Sequence, residues 1–229
     1  NPEIGLAAVQ VLESLGFYVI APAWTCCGRP LISKGFLPEA KTKLTKALDA
    51  LLPYAKQGVA IVGIEPSCIS ALTDEIRDFS LDPAKVALVT KAIQPLDQFL
   101  LQHKEQLKAV TVPFTGQVLV HGHCHQKALF GMKAELALLQ ATCAPNVAEI
   151  PSGCCGMAGS FGYEKEHVQI SKKIGELALF PSIRARQTGS VVIAGGNSCR
   201  SQIEDGLNVQ AIHFIQFIAQ QLTQASVLY

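Results

Sequence analysis

This 229-residue chain has no excess of charge of either sign: 19 Lys and Arg against 18 Asp and Glu leave a net charge of +1. That removes the basic footprint of a DNA, RNA or anionic-lipid binder, and nucleic acid is excluded as an expected partner. No stretch approaches about 18 uninterrupted apolar residues, so no transmembrane segment is expected. The opening NPEIGLAAVQ lacks the charged-then-apolar layout of a secretory signal. A soluble, cytoplasmic chain is the expectation. Also absent are the spaced C-x2-C pairs that zinc sites favour, and GMAGSFG lacks the Lys-Ser/Thr ending of a phosphate-cradling P-loop.

What is present is cysteine: eight residues in a chain of which 49% is hydrophobic. Outside a secreted setting such cysteine usage points to metal or redox work rather than to a disulfide framework. Helix-like and strand-like segments alternate. Residues 3–16 read as a helix and 17–22 (FYVIAP) as a strand, followed by a helix over 37–55, a strand over 58–68 and a helix over 68–79. Further on, strands are expected over 116–126, 146–156 and 189–199, separated by helices over 133–141 and 164–179 and closed by a helix over 212–222. Short, glycine-bounded strands between amphipathic helices predict an α/β layer fold with mainly parallel sheets.

The two halves resemble each other. Cys26 and Cys154 lie 128 positions apart and Cys68 and Cys199 lie 131 apart, each at the carboxyl end of an expected strand. The reading is two pseudo-symmetric repeats, 1–110 and 111–229, each a small, mainly parallel sheet flanked by helices. A counterpart of Cys124 in the first half would fall before Asn1, so the first repeat is expected to lack its first strand and the chain to be a piece of something longer.

Loops at the carboxyl ends of parallel strands gather at one sheet edge, where ligands bind. This collects Cys124, Cys154, Cys155 and Cys199 in the second repeat, and Cys26, Cys27 and Cys68 in the first. Thiolates are soft ligands suited to iron–sulfur clusters and zinc. Two adjacent cysteines sit awkwardly on one tetrahedral ion but can take two corners of a polynuclear cluster, and the glycines beside them let backbone N–H groups approach it. A buried apolar pair, a vicinal disulfide and a mononuclear zinc site are the competing readings. His121, His123 and His125 alternate and share one face if the strand continues that far; His123 and His125 are further candidate ligands or proton carriers. Tyr163, Glu164 and Arg200 flank the cysteine loops as candidate supporting donors, and Cys143 reads as structural.

The blocks TCCGRP, EPSC, HGHCHQK, SGCCGMAGSFGYE and GNSCR, in this order, resemble the paired cysteine-rich, or CCG, domains found in the cysteine-rich component of heterodisulfide reductase, in the glycolate oxidase iron–sulfur subunit and in the corresponding component of glycerol-3-phosphate dehydrogenase. The likeness covers essentially the whole chain. It is greatest to the C-terminal region of fused FAD-linked oxidase and iron–sulfur proteins acting as D-lactate or other D-2-hydroxyacid dehydrogenases. The resemblance implies an iron–sulfur electron-transfer module with a [4Fe-4S] cluster held by the seven cysteines above. It also implies FAD on a partner rather than on this chain, a ferredoxin-like iron–sulfur segment, and a quinone or electron carrier as acceptor. The setting would be cytoplasmic, peripheral to the inner face of the membrane through partners. Such a module would have no dehydrogenase activity alone. Neither repeat has the closing Cys-x-x-Cys of the heterodisulfide reductase branch, since Ser67 and Ser198 precede single cysteines. A zinc-binding docking module and a heterodisulfide-reductase-like thiol redox component stay open as alternatives.

Overall fold

The computed structural model describes residues 1–23 and 26–223. In chain order its elements are α1 (Pro2–Ser14), α2 (Arg29–Ser33), α3 (Leu37–Lys56), β1 (Ile61–Gly63), α4 (Pro66–Thr73), α5 (Pro83–Ala92), β2 (Ile93–Pro95), α6 (Leu96–Gln102), α7 (Lys104–Ala109), β3 (Val118–His121), α8 (Cys124–Leu129), α9 (Lys133–Thr142), β4 (Val147–Glu149), α10 (Val168–Leu177), α11 (Leu179–Arg184), β5 (Val191–Ala194), α12 (Asn197–Leu207) and α13 (Phe214–Gln220). Helices flank two small parallel sheets, which is the α/β architecture the sequence predicts.

The chain divides into two compact units. One is the continuous segment Ile20–Phe99; the other joins Asn1–Val19 to Leu100–Tyr229. In the continuous unit β1 and β2 pair in parallel, with Val62 opposite Gln94. Helix α3 buries Ala40, Leu44, Ala47 and Leu48, a stripe at helical spacing, and packs on α5. Asp82 caps α5 by accepting from the backbone N–H groups of Ala84 and Lys85, with Pro83 at the first helical position.

In the second unit the order is β4-β3-β5, all parallel. Central β3 is buried at all four positions, as a strand covered on both faces must be. A further parallel bridge joins Ile193 to Ile212 just before α13. Helix α1 buries Ile4, Ala7, Ala8, Val11 and Leu12 and packs on α13. A core of Leu119, Ile150, Met157, Phe180, Val192 and Ile203 also contains Cys155 and Cys199, so these two thiols belong to the packed interior.

Residues 17–22, expected as a strand, carry no regular structure. Tyr18 is 90% exposed and Ile20 44%, Phe17 and Val19 are only half-buried, and the segment joins neither sheet, so no ladder rewards extension. Cys68, Cys124 and Cys199 lie just beyond their strands, inside the first turns of α4, α8 and α12. Of the 68–79 helix, α4 ends at Thr73 and a 3-10 turn takes over at Glu75–Asp78. No helix among the described residues is long and apolar enough to cross a membrane.

Cys143 is fully buried at the end of α9, and burial pushes its thiol up to about 11 from 9.0. A raised folded-state pKa favours the fold fully below pH 9 and loses that contribution as pH rises through about 11. Wild type should therefore lose about 2–3 kcal/mol more than Cys143→Ala over that interval, read from urea midpoints. Parallel pH profiles would refute a buried neutral thiol here.

Candidate metal centre

Three adjacent parallel strands deliver the second unit's cysteines to one sheet edge. β3 ends at His121, and three residues later Cys124 opens α8. His123 caps that helix, its Nδ1 accepting the His125 N–H at 3.2 Å. β4 passes through Ile150, whose N–H bonds the Val120 carbonyl, into the loop bearing Cys154 and Cys155. β5 leads through Gly195 and Gly196 into α12, where Cys199 is the third residue.

One ring nitrogen of His121 and the sulfurs of Cys155 and Cys199 lie within 4.8 Å of one another. The thiols of Cys124, Cys154, Cys155 and Cys199 form a series of neighbours in which each perturbs the next. Within it, Cys154 is held far below the usual thiol range, first by donation from Cys124, and Cys199 likewise by donation from Cys155. The two donors, Cys124 and Cys155, are pushed up, Cys124 by its bond to Cys154 and Cys155 by its bonds to Cys154 and Cys199. Backbone N–H groups also reach the sulfurs: Gly156 points at Cys154 Sγ at 3.3 Å and Met157 at Cys155 Sγ at 3.5 Å. Burial holds the His123 imidazole below its ordinary pKa, against attraction from Cys199.

The continuous unit repeats the loop in smaller form. Trp24 and Thr25, the latter opening the TCCGRP block, lie outside the described residues. Cys27 Sγ is 3.1 Å from Cys68 Sγ, and the Gly28 N–H points at Cys26 Sγ at 3.4 Å. Donation from Cys68 lowers Cys27 to about 7, while Cys68 is raised. Cys68 is the third residue of α4, as Cys199 is of α12.

A family profile described as "Cysteine-rich domain" (CCG) matches residues 1–73. Lactate utilization protein A of Anoxybacillus flavithermus is 31% identical over 165 residues, covering 69% of this chain and 67% of the relative. The chain belongs to the cysteine-rich CCG family. Among other relatives, a subunit of the anaerobic glycerol-3-phosphate dehydrogenase of Escherichia coli K12 is 26% identical over 226 residues, covering 97% of this chain. D-2-hydroxyglutarate dehydrogenase of the same strain is 29% identical over 201 residues, covering 86% of this chain. The CCG chain spans 56% of the former relative's length and 19% of the latter's.

In this CCG chain the glycine of each Cys-Cys-Gly has a steric reason. Gly156 has φ +99°, and an added Cβ would overlap the Ser171 carbonyl oxygen on α10. Gly28 has φ +79°, and its Cβ would stand 3.3 Å from the Ala40 carbonyl oxygen on α3. Both loops press their backbone onto a helix in a left-handed conformation that only glycine adopts freely.

Buried Gln202 on α12 locks the second loop. Its Nε2 donates to the Cys155 carbonyl at 2.9 Å and to the Ser171 carbonyl and hydroxyl at 3.1 and 3.0 Å. Lys127 of α8 donates to the Ser152 carbonyl and lies 3.6 Å from Glu149. Of the candidate supporting donors, Arg200 donates to the Ala194 and Gly195 carbonyls, Glu164 sits 2.9 Å from His167 Nδ1, and Tyr163 is exposed. Because β3 stops at His121, the alternation of the three histidines breaks there, and His121 is the one that joins Cys155 and Cys199. Four soft sulfurs, a buried imidazole and inward N–H groups fit a thiophilic group, an iron–sulfur cluster or zinc.

Proposed function

We propose that this chain is an iron–sulfur electron-transfer module of a flavin-dependent 2-hydroxyacid dehydrogenase. It would serve an FAD-linked oxidase domain or subunit and a ferredoxin-like iron–sulfur segment, and it would deliver electrons to a quinone or carrier. The observation that carries the reading is the delivery of Cys124, Cys154, Cys155 and Cys199 to a single sheet edge, where the Cys155 and Cys199 sulfurs lie within 4.8 Å of each other. The names of two relatives, lactate utilization protein A and D-2-hydroxyglutarate dehydrogenase, support a 2-hydroxyacid as the partner's substrate. The cysteine offsets support a duplicated chain with repeats 1–110 and 111–229, and the reading places it in the cytoplasm, at the inner membrane face through its partners.

Cys124, Cys154, Cys155 and Cys199 would hold the second repeat's group, and Cys26, Cys27 and Cys68 the first's. A bound [4Fe-4S] cluster supplies storage of one electron at a time. The protein's own contribution is to bury Cys155 and Cys199 in the core and to aim the Gly156 and Met157 N–H groups at the sulfurs. Such donors favour added negative charge and raise a reduction potential.

The test is anaerobic reconstitution of the whole chain with iron and sulfide, followed by iron, acid-labile sulfide and zinc analysis and a visible spectrum. Iron and sulfide near four per site, with broad absorption that bleaches on reduction, is the expected result. Cys155→Ser should remove the second repeat's share. Zinc without sulfide would replace this reading by a docking module, and a reversible loss of two thiols without any metal by direct thiol chemistry.

A further inference from the structure

We propose that His121 supplies a nitrogen ligand beside Cys155 and Cys199, with Ser152 fixing the imidazole's tautomer. This rests on the reading that these thiols hold a metal group, and it adds a donor that the cysteine pattern does not contain.

His121 is 1% exposed and closes the most buried strand of its unit, paired there with Ala194 of β5. Its Nδ1 is 2.7 Å from the Ser152 hydroxyl, itself buried. Its Nε2 is buried and makes no hydrogen bond of ordinary geometry. A buried imidazole nitrogen left so is rare and marks a missing ligand or a functional role. One nitrogen of the ring lies within 4.8 Å of two sulfurs that follow two other strands, so the imidazole stands beside both thiols.

The arrangement matches the physics of a metal-bound histidine, in which the outer ring nitrogen is anchored by a hydrogen bond and the inner one is left for the metal. Ser152 is the anchor, and its carbonyl is held in turn by Lys127. The neighbouring histidine is engaged otherwise, since His123 Nδ1 is the cap of α8. Residues 20–99 contain no histidine at all, so the continuous unit has no imidazole of its own beside Cys26, Cys27 and Cys68. The two cysteine loops would thus carry different donor sets, nitrogen and sulfur in one and sulfur in the other.

The experiment is pulsed EPR on the whole chain, reconstituted anaerobically with iron(II) and sulfide, reduced, and labelled with ¹⁵N-histidine. The expected result is a strong histidine-nitrogen coupling that disappears in His121→Gln while thiolate-bound iron remains. His121→Cys, which restores a soft ligand, covers the case in which the glutamine variant does not fold: it should hold iron and sulfide without the coupling. Bound iron and sulfide with no histidine coupling in wild type, or a coupling that survives both substitutions, would overturn the assignment and leave the electron-transfer reading intact. If zinc binds without sulfide, that reading fails separately and zinc-edge absorption judges His121. Imidazole scattering lost in the variants supports the assignment, and a sulfur-only shell overturns it. A chain that takes up neither iron nor zinc overturns both.

Discussion

Gly156→Ala should destabilise the second unit by about 3–5 kcal/mol and abolish metal retention. Two effects add. The residue has φ +99°, where a side chain is strained, and the new Cβ would occupy the space of the Ser171 carbonyl oxygen, a backbone atom held inside α10. Gly153, three residues earlier, has nothing within 4 Å of an added Cβ and no positive φ, so Gly153→Ala should stay within about 1 kcal/mol of wild type. Urea unfolding of the two variants side by side separates the steric requirement at the third position of Cys-Cys-Gly from a general intolerance of the loop. Equal midpoints would mean that the loop backbone slides off α10 freely, against the contact described above.

A comparable loss is expected at a residue that carries no metal chemistry. Gln202→Leu keeps the volume but removes the amide that serves three acceptors from a site 4% exposed. The Cys155 and Ser171 carbonyls then lose their shared donor in a dry interior, at a cost of about 2–4 kcal/mol. Since the Cys155 carbonyl is one of those acceptors, the loop should also loosen. Alkylation of Cys155 in the metal-free chain, mapped by mass spectrometry, should accelerate at least tenfold. An unchanged rate with lowered stability would confine Gln202 to holding α10 and α12.

Much of the site could be read from spacing because cysteine, glycine and strand periodicity are local signals. The blocks around Cys26, Cys68, Cys124, Cys154 and Cys199 each sit where a strand was expected to give way to a loop or helix, and parallel topology turns that shared position into proximity. His121 is present in the pattern, but the sequence points to His123 and His125 as the candidate ligands; alternation along a strand cannot say where the strand stops, and the end of β3 is set by pairing with β4 and β5. Gln202 carries no local signal, being an ordinary polar residue on α12 whose partners lie 31 and 47 positions away. The strand expected at 17–22 fails for the complementary reason. Phe17 through Ile20 have strand-like side chains, but an extended segment becomes a strand only beside a partner, and Tyr18 faces solvent instead.

The left-handed geometry of the second loop does not stop at glycine. Ala158, with φ +44°, is one of two non-glycine residues in that region among the described positions, four residues after Cys154. An L-residue held there costs roughly 1–2 kcal/mol relative to a right-handed conformation. Glycine would adopt this geometry at less cost and would leave the segment freer to wander. The alanine therefore stores conformational strain within the cysteine loop, held in place by the packing around Met157. The conformation of this loop is a property imposed by the fold, and the geometry it offers to a ligand is set by the core beneath it.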